Sequence, residues 1–224
     1  MATNQADGAA ARALRTPRAA AVAGILFALL LATALALVRL AASTDPAGSA
    51  AWTMDPGRRR LVIIALNLVP FAGIAFLWFI GVMRDRIGEH EDRFFGTVFL
   101  GSGLLFVGML FVATAATAAV LAESVRAGTG APGYGRSIGA VVLHTYAMRM
   151  AAVFMISTAT IGLRTGILSR WLGFSGYAVA LVLLLVIDVT RWVELLFPFW
   201  ILLLSLDTLV EGMRGPAKTG FPSG

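Results

Sequence analysis

The feature that most constrains this chain is a run of 29 residues, 94–122, without a single charged side chain. Inside a bilayer no water meets the backbone N–H and C=O groups, so such a segment crosses as a helix that satisfies them internally. About 20 largely apolar residues span the hydrocarbon. Five further runs qualify: 19–38, 61–83, 138–163, 171–187 and 192–210. The chain therefore reads as all-α, a polytopic transmembrane helical bundle of six spans. Composition points the same way. Of 224 residues, 58% are hydrophobic and 13% charged, and the mean hydropathy is +0.84. A soluble domain carries about 25% charged residues, so an ordinary soluble globule is excluded. The apolar content excludes disorder.

Residues 1–18 read as an N-terminal tail, 19–210 as the membrane domain and 211–224 as a C-terminal tail. The longest connecting piece, 39–60, is 22 residues and leaves no room for a soluble domain. Arg12, Arg15 and Arg18 precede the first run, but that run outlasts a signal-peptide h-region and Arg39 interrupts the cleavage position, so it reads as an uncleaved span. Ten basic residues lie on the side of the two tails and seven on the other. The excess assigns both termini to the cytoplasm of a bacterial cell, with the chain multi-pass in its plasma membrane. Trp78, Trp171 and Trp192 fall at span ends, where amphipathic rings prefer the interface. Mid-span Trp200 reads as packed core. Asp188–Arg191 must reverse the chain between the fifth and sixth spans, and Pro198 is expected to kink the sixth.

Several chemistries fall away on residue types alone. There is no cysteine, which removes thiolate ligands and disulfides. The only lysine, Lys218, lies in the C-terminal tail, so a P-loop and an intramembrane Schiff base have no lysine to use. His90 and His144 stand 54 residues apart, a poor zinc set. The net charge of +6 flanks apolar runs rather than forming a basic patch, so the partner it implies is the lipid bilayer and not nucleic acid. No cofactor is implied. Gly135-Arg136-Ser137-Ile138-Gly139 matches the nucleophile-elbow pattern but lacks the strand that the elbow needs. Gly173-Phe174-Ser175-Gly176 resembles the serine motif of the rhomboid intramembrane proteases. That resemblance implies a histidine base on the last core helix, and no histidine follows His144. The reading is accordingly a protein that is not an enzyme.

The candidate polar site centres on Arg149, inside the fourth run. A guanidinium near the bilayer midplane costs about 3 kcal/mol or more on insertion scales and calls for a carboxylate. Helices four and six enter from the same side, which puts Glu194 in the same leaflet. An intramembrane site of Arg149, Glu194, Thr145 and His144 follows as a hypothesis, with Thr145 on the face of Arg149 and His144 turned away from it. Small residues in the third run, with Gly96 and Gly103 seven apart and Gly101 and Gly108 likewise, suggest a close-packing helix.

In layout the chain resembles the uncharacterised six-span integral membrane proteins of actinobacterial type. The similarity rests on Arg15-x-x-Arg18 before an Ala/Gly/Leu-rich first helix and on Gly166-Ile167-Leu168-Ser169-Arg170-Trp171-Leu172-Gly173 between helices four and five. It implies an arrangement of helices, not an activity. Two function classes result: a non-catalytic protein acting through helix contacts (with a second copy or another membrane protein) or by small-molecule sensing, and a small permease or channel-like protein using Arg149 and Glu194. The halves show no repeat, which favours the first.

Overall fold

The structure, a computed structural model, describes residues 17–42, 55–87, 93–127, 138–185 and 192–214. The expected hairpin at 188–191 and most of both tails lie outside the described residues. Within them every regular element is helical: α1 Pro17–Ala42, α2 Pro56–Ile87, α3 Arg93–Ala127, α4 Ile138–Thr165, α5 Arg170–Leu185 and α6 Leu196–Arg214, the last led by a 3-10 turn at Val193–Leu195. Among the described residues, five of these helical segments are long and apolar enough to cross a membrane. The exception is α5, apolar but only 16 residues. At 1.5 Å per residue its described part covers about 24 Å of the ~30 Å hydrocarbon thickness. Of the six full spans expected, five have spanning length among the described residues, and the remaining one is an apolar helix described over 16 residues.

Local chemistry extends the helices beyond the apolar runs. α2 begins five residues before its run because Asp55 caps it: Oδ1 accepts from the Gly57 amide at 2.8 Å and Oδ2 lies 3.3 Å from Arg58 Nε. Pro56 follows at the first helical position, where its missing N–H costs nothing. The α4–α5 connection turns on Gly166 at φ +70°, a left-handed conformation that glycine adopts freely. Leu168 then folds back, its amide donating to the Gly162 carbonyl at 3.1 Å and its side chain lying over Gly162. The Gly166–Gly173 segment is therefore architecture: Gly173 in turn lies against Leu163.

Pro198 is the third residue of α6, close to the start of the helix, where proline is best tolerated. The interior proline is Pro70 of α2.

The helices form a closed ring of sequence neighbours, each packed on the next, with α6 returning against α1. Lipid supplies no hydrophobic drive between helices, so shape fit has to hold them. The centre is a layer of phenylalanines: Phe27 of α1, Phe76 of α2, Phe106 of α3, Phe154 of α4 and Phe197 of α6, all fully buried. Phe27 and Phe76 lie 4.4 Å apart, Phe76 and Phe106 5.3 Å, and Phe106 and Phe197 4.9 Å between centroids. Tilted and edge-to-face pairs of this kind add about 0.5–1.5 kcal/mol each beyond contact area. Trp200, 1% exposed, donates from Nε1 to the Leu172 carbonyl at 3.3 Å and ties α6 to α5. Outward faces carry exposed Leu26, Phe71, Ile74, Leu105 and Leu181, a surface compatible with a multi-pass membrane protein. Trp78, Trp171 and Trp192 are exposed near helix ends.

Candidate functional site

On one side of the phenylalanine layer the ring opens into a cavity of about 420 Å³. Its inner end is apolar, formed by Leu31 of α1, Val69 of α2 and Leu110 of α3, one or two turns from the phenylalanines. Its outer end holds Arg39, His144 and Glu194. The wall combines the C-terminal part of α1, the N-terminal part of α2, the C-terminal part of α3 and the N-terminal parts of α4 and α6. That alternation shows adjacent helices running in opposite directions along this wall. It also sets the cavity at the end of the bundle away from Pro17 and Arg214.

Glu194 lies in the 3-10 turn that leads into α6, where the exposed N–H groups favour a carboxylate. Its side chain is 4% exposed and its Oε1 is ion-paired with Arg39 Nη2. The same oxygen lies 2.9 Å from His144 Nδ1. Arg39 Nη2 is 3.5 Å from His144 Nε2. Arg39 and Glu194 carry opposite charges, with the imidazole of His144 beside both. The charges of Arg39 and Glu194 then cancel, the condition under which ions are tolerated away from water.

α4 is π-helical over Val142–Ala147, and His144 lies within that segment. Gly139, three residues before the segment begins, lies so close to α3 that an added Cβ would sit 2.7 Å from Thr117 Oγ1 and 3.2 Å from the Ala113 carbonyl. α4 thus presses Gly139 on α3 while His144 lies beside Arg39 of α1 and Glu194.

Two of the four residues expected to form the site, His144 and Glu194, thus meet. Arg149 does not join them. Its Nη1 donates to the Thr145 carbonyl of its own helix at 2.7 Å, and neither Arg149 nor Thr145 lines the cavity. The expected Arg149–Glu194 pair is corrected accordingly: the cation of Glu194 is Arg39. A long side chain in mid-run can turn back to a carbonyl four residues earlier without a carboxylate. Arg39 escapes sequence reasoning because the apolar run ends at Val38, which assigns it to a loop, whereas α1 continues to Ala42. Its signal is a lone charge within one turn of an apolar run's end.

The rejected serine motif is equally local, with Ser175 Oγ donating to the Leu172 carbonyl at 2.9 Å. Among the described residues no group of three or more acidic or histidine side chains is arranged to hold a metal ion. Comparison with known proteins returns no matching family model, no similar curated protein and no similar solved structure.

Proposed function

We propose that this chain is a six-span bacterial plasma-membrane protein, termini cytoplasmic, whose role is non-catalytic binding of a small amphipathic molecule. The observation that carries the reading is the cavity of about 420 Å³, apolar within and charged at its outer end. Sites for small molecules commonly measure about 300–1,000 Å³ and pair apolar walls with a few placed polar groups. The sign of the ligand follows from accessibility. The side chains of Arg39 and His144 are each 24% exposed, whereas that of Glu194 is 4%. A visitor meets the Arg39 guanidinium, with the carboxylate behind it, so the favoured head group is an anion.

The permease alternative needs a path through the bundle. The phenylalanine layer closes the cavity's inner end, and Arg149 stands outside the wall. Small-molecule sensing accords with a blind cavity.

Titration of the detergent-purified chain with octanoate, octanol and octylamine tests the reading. Octanoate is expected to raise the unfolding temperature in a saturable way, octanol weakly and octylamine not at all. Arg39→Gln should remove the octanoate response. Equal responses to octanoate and octylamine would overturn the assignment of an anionic head group, and no response to any probe would overturn the binding reading.

A further inference from the structure

A second depression of about 870 Å³ runs along the outer seam of α2 and α3. Arg59 stands at its α2 end, Asn67 and Pro70 lie along it, and Phe111 and Ala118 form the opposite wall. This groove and the internal cavity have two residues in common, Leu66 of α2 and Thr114 of α3. The helical phase explains why. On α2, Val62, Ala65 and Val69 line the cavity while Arg59, Ile63, Asn67 and Pro70 line the groove. Leu66 lies between these sets. On α3, Ala113 and Thr117 line the cavity, Ala115 and Ala118 the groove, and Thr114 sits on the boundary. One half-buried leucine and one threonine thus form the partition between a lipid-facing groove and the charged cavity.

We propose that this seam is the passage by which the ligand reaches the cavity sideways from the bilayer, which makes the ligand a single-chain, membrane-dissolved carboxylate amphiphile. The inference rests on the binding reading above and adds a route and a ligand class to it. Charge complementarity selects the occupant. Arg59 has no carboxylate partner among the described residues, unlike Arg58, whose Nε lies 3.3 Å from Asp55 Oδ2. It gathers anions where the groove meets the headgroup region, and the next cation inward is Arg39. An acyl chain in the groove touches apolar side chains throughout. The Asn67 amide is already engaged, donating to the Ile63 carbonyl at 2.8 Å. To pass, the ligand needs only a rotamer change of Leu66, with Thr114 holding its hydroxyl on the Leu110 carbonyl at 2.8 Å.

The chain has no cysteine, so a fluorophore on Ala42→Cys, at the cavity rim, reports uniquely. Reconstituted into vesicles, the labelled protein receives nitroxide-labelled stearate from the lipid, and quenching gives the rate of arrival. Leu66→Trp and Thr114→Leu are each expected to slow arrival by roughly tenfold, as a blocked conformational step does. Leu66→Ala should accelerate it, an outcome that does not depend on the bulkier variants folding. Because Leu66 and Thr114 also line the cavity, octanoate affinity is measured for each variant, and Ile63→Trp, in the groove but outside the cavity wall, is expected to slow arrival with octanoate affinity unchanged. If octanoate still binds and no variant changes the rate of stearate arrival, the lateral passage is wrong while the binding site stands. If the unsubstituted protein takes up neither probe, both ideas fall.

Discussion

At the scale of single residues, burial of Glu194 decides much of the energetics. A carboxylate 3% exposed among apolar helices is stable only because Arg39 and His144 lie against it. Removing one partner of a buried ion pair leaves the other charge uncompensated, at a cost of about 3–5 kcal/mol. Replacing both by apolar residues of similar volume is close to neutral. Glu194→Ala is therefore expected to destabilise the detergent-solubilised protein by about 3 kcal/mol, and the double variant Arg39→Met with Glu194→Leu to recover most of that loss. Denaturant unfolding of the unsubstituted chain, Arg39→Met, Glu194→Leu and the double variant measures the coupling. Additive losses in the double variant would show that the two side chains do not act as a pair. The same residues mark how far sequence alone reaches into the site. Glu194 and His144 are legible as polar groups flanking or inside apolar runs. Their partner is not, because a mid-run arginine attracts attention that an arginine at a run's end does not. Nothing local reveals that Arg149 bonds the Thr145 carbonyl.

At the scale of elements, the third helix shows how one composition serves two surfaces. Its glycines are seven apart in two pairs, and Gly103 of the first pair differs from both members of the second. A Cβ on Gly103 would sit 2.5 Å from Ile80 Cδ1 and 3.2 Å from Phe154 Cδ2. On Gly101 or Gly108 it would meet nothing within 4 Å. Small residues along a helix do not by themselves say which side is packed, and only the three-dimensional arrangement separates them. Overpacking a tight contact costs about 1–3 kcal/mol, whereas alanine in place of an open helical glycine gains up to about 1 kcal/mol from backbone entropy. Gly103→Ala should thus lower the unfolding temperature and Gly108→Ala leave it unchanged or raise it. A loss in Gly108→Ala comparable to that in Gly103→Ala would mean that the outer face of α3 is covered in the assembled protein. The π segment of α4 belongs to the same scale and is less legible still. Residues 138–163 read as one apolar run, and no glycine or proline announces the change in winding at Val142–Ala147. That stretch of α4 meets three other helices, Gly139 against α3 and His144 beside Arg39 of α1 and Glu194 at the start of α6.

For the whole molecule, helices are the part that sequence discloses well, because a lipid solvent leaves the backbone few alternatives. Closure of the ring is not so dictated. It depends on α6 returning to α1, where Gly24 lets Ser205 and Phe79 approach the α1 backbone. With the ring closed, five phenylalanines meet at its centre and divide the interior. The cavity then opens at one end of the bundle, the one opposite the described ends Pro17 and Arg214. This makes the choice between sensor and permease a question of water. Ala34 of α1 lines the cavity, and Arg84 of α2 is exposed near the other end of the bundle. In the cysteine-free chain, Ala34→Cys should react with a small membrane-impermeant thiol reagent from outside intact cells and resist it in inverted vesicles. Arg84→Cys should do the reverse. If Ala34→Cys reacts equally from both faces while Arg84→Cys keeps its sidedness, water crosses the phenylalanine layer, and a transport path through the bundle replaces the blind pocket. One-sided reaction leaves a ligand at Arg39 and His144 no onward route, so its binding would have to act by changing how the helices pack.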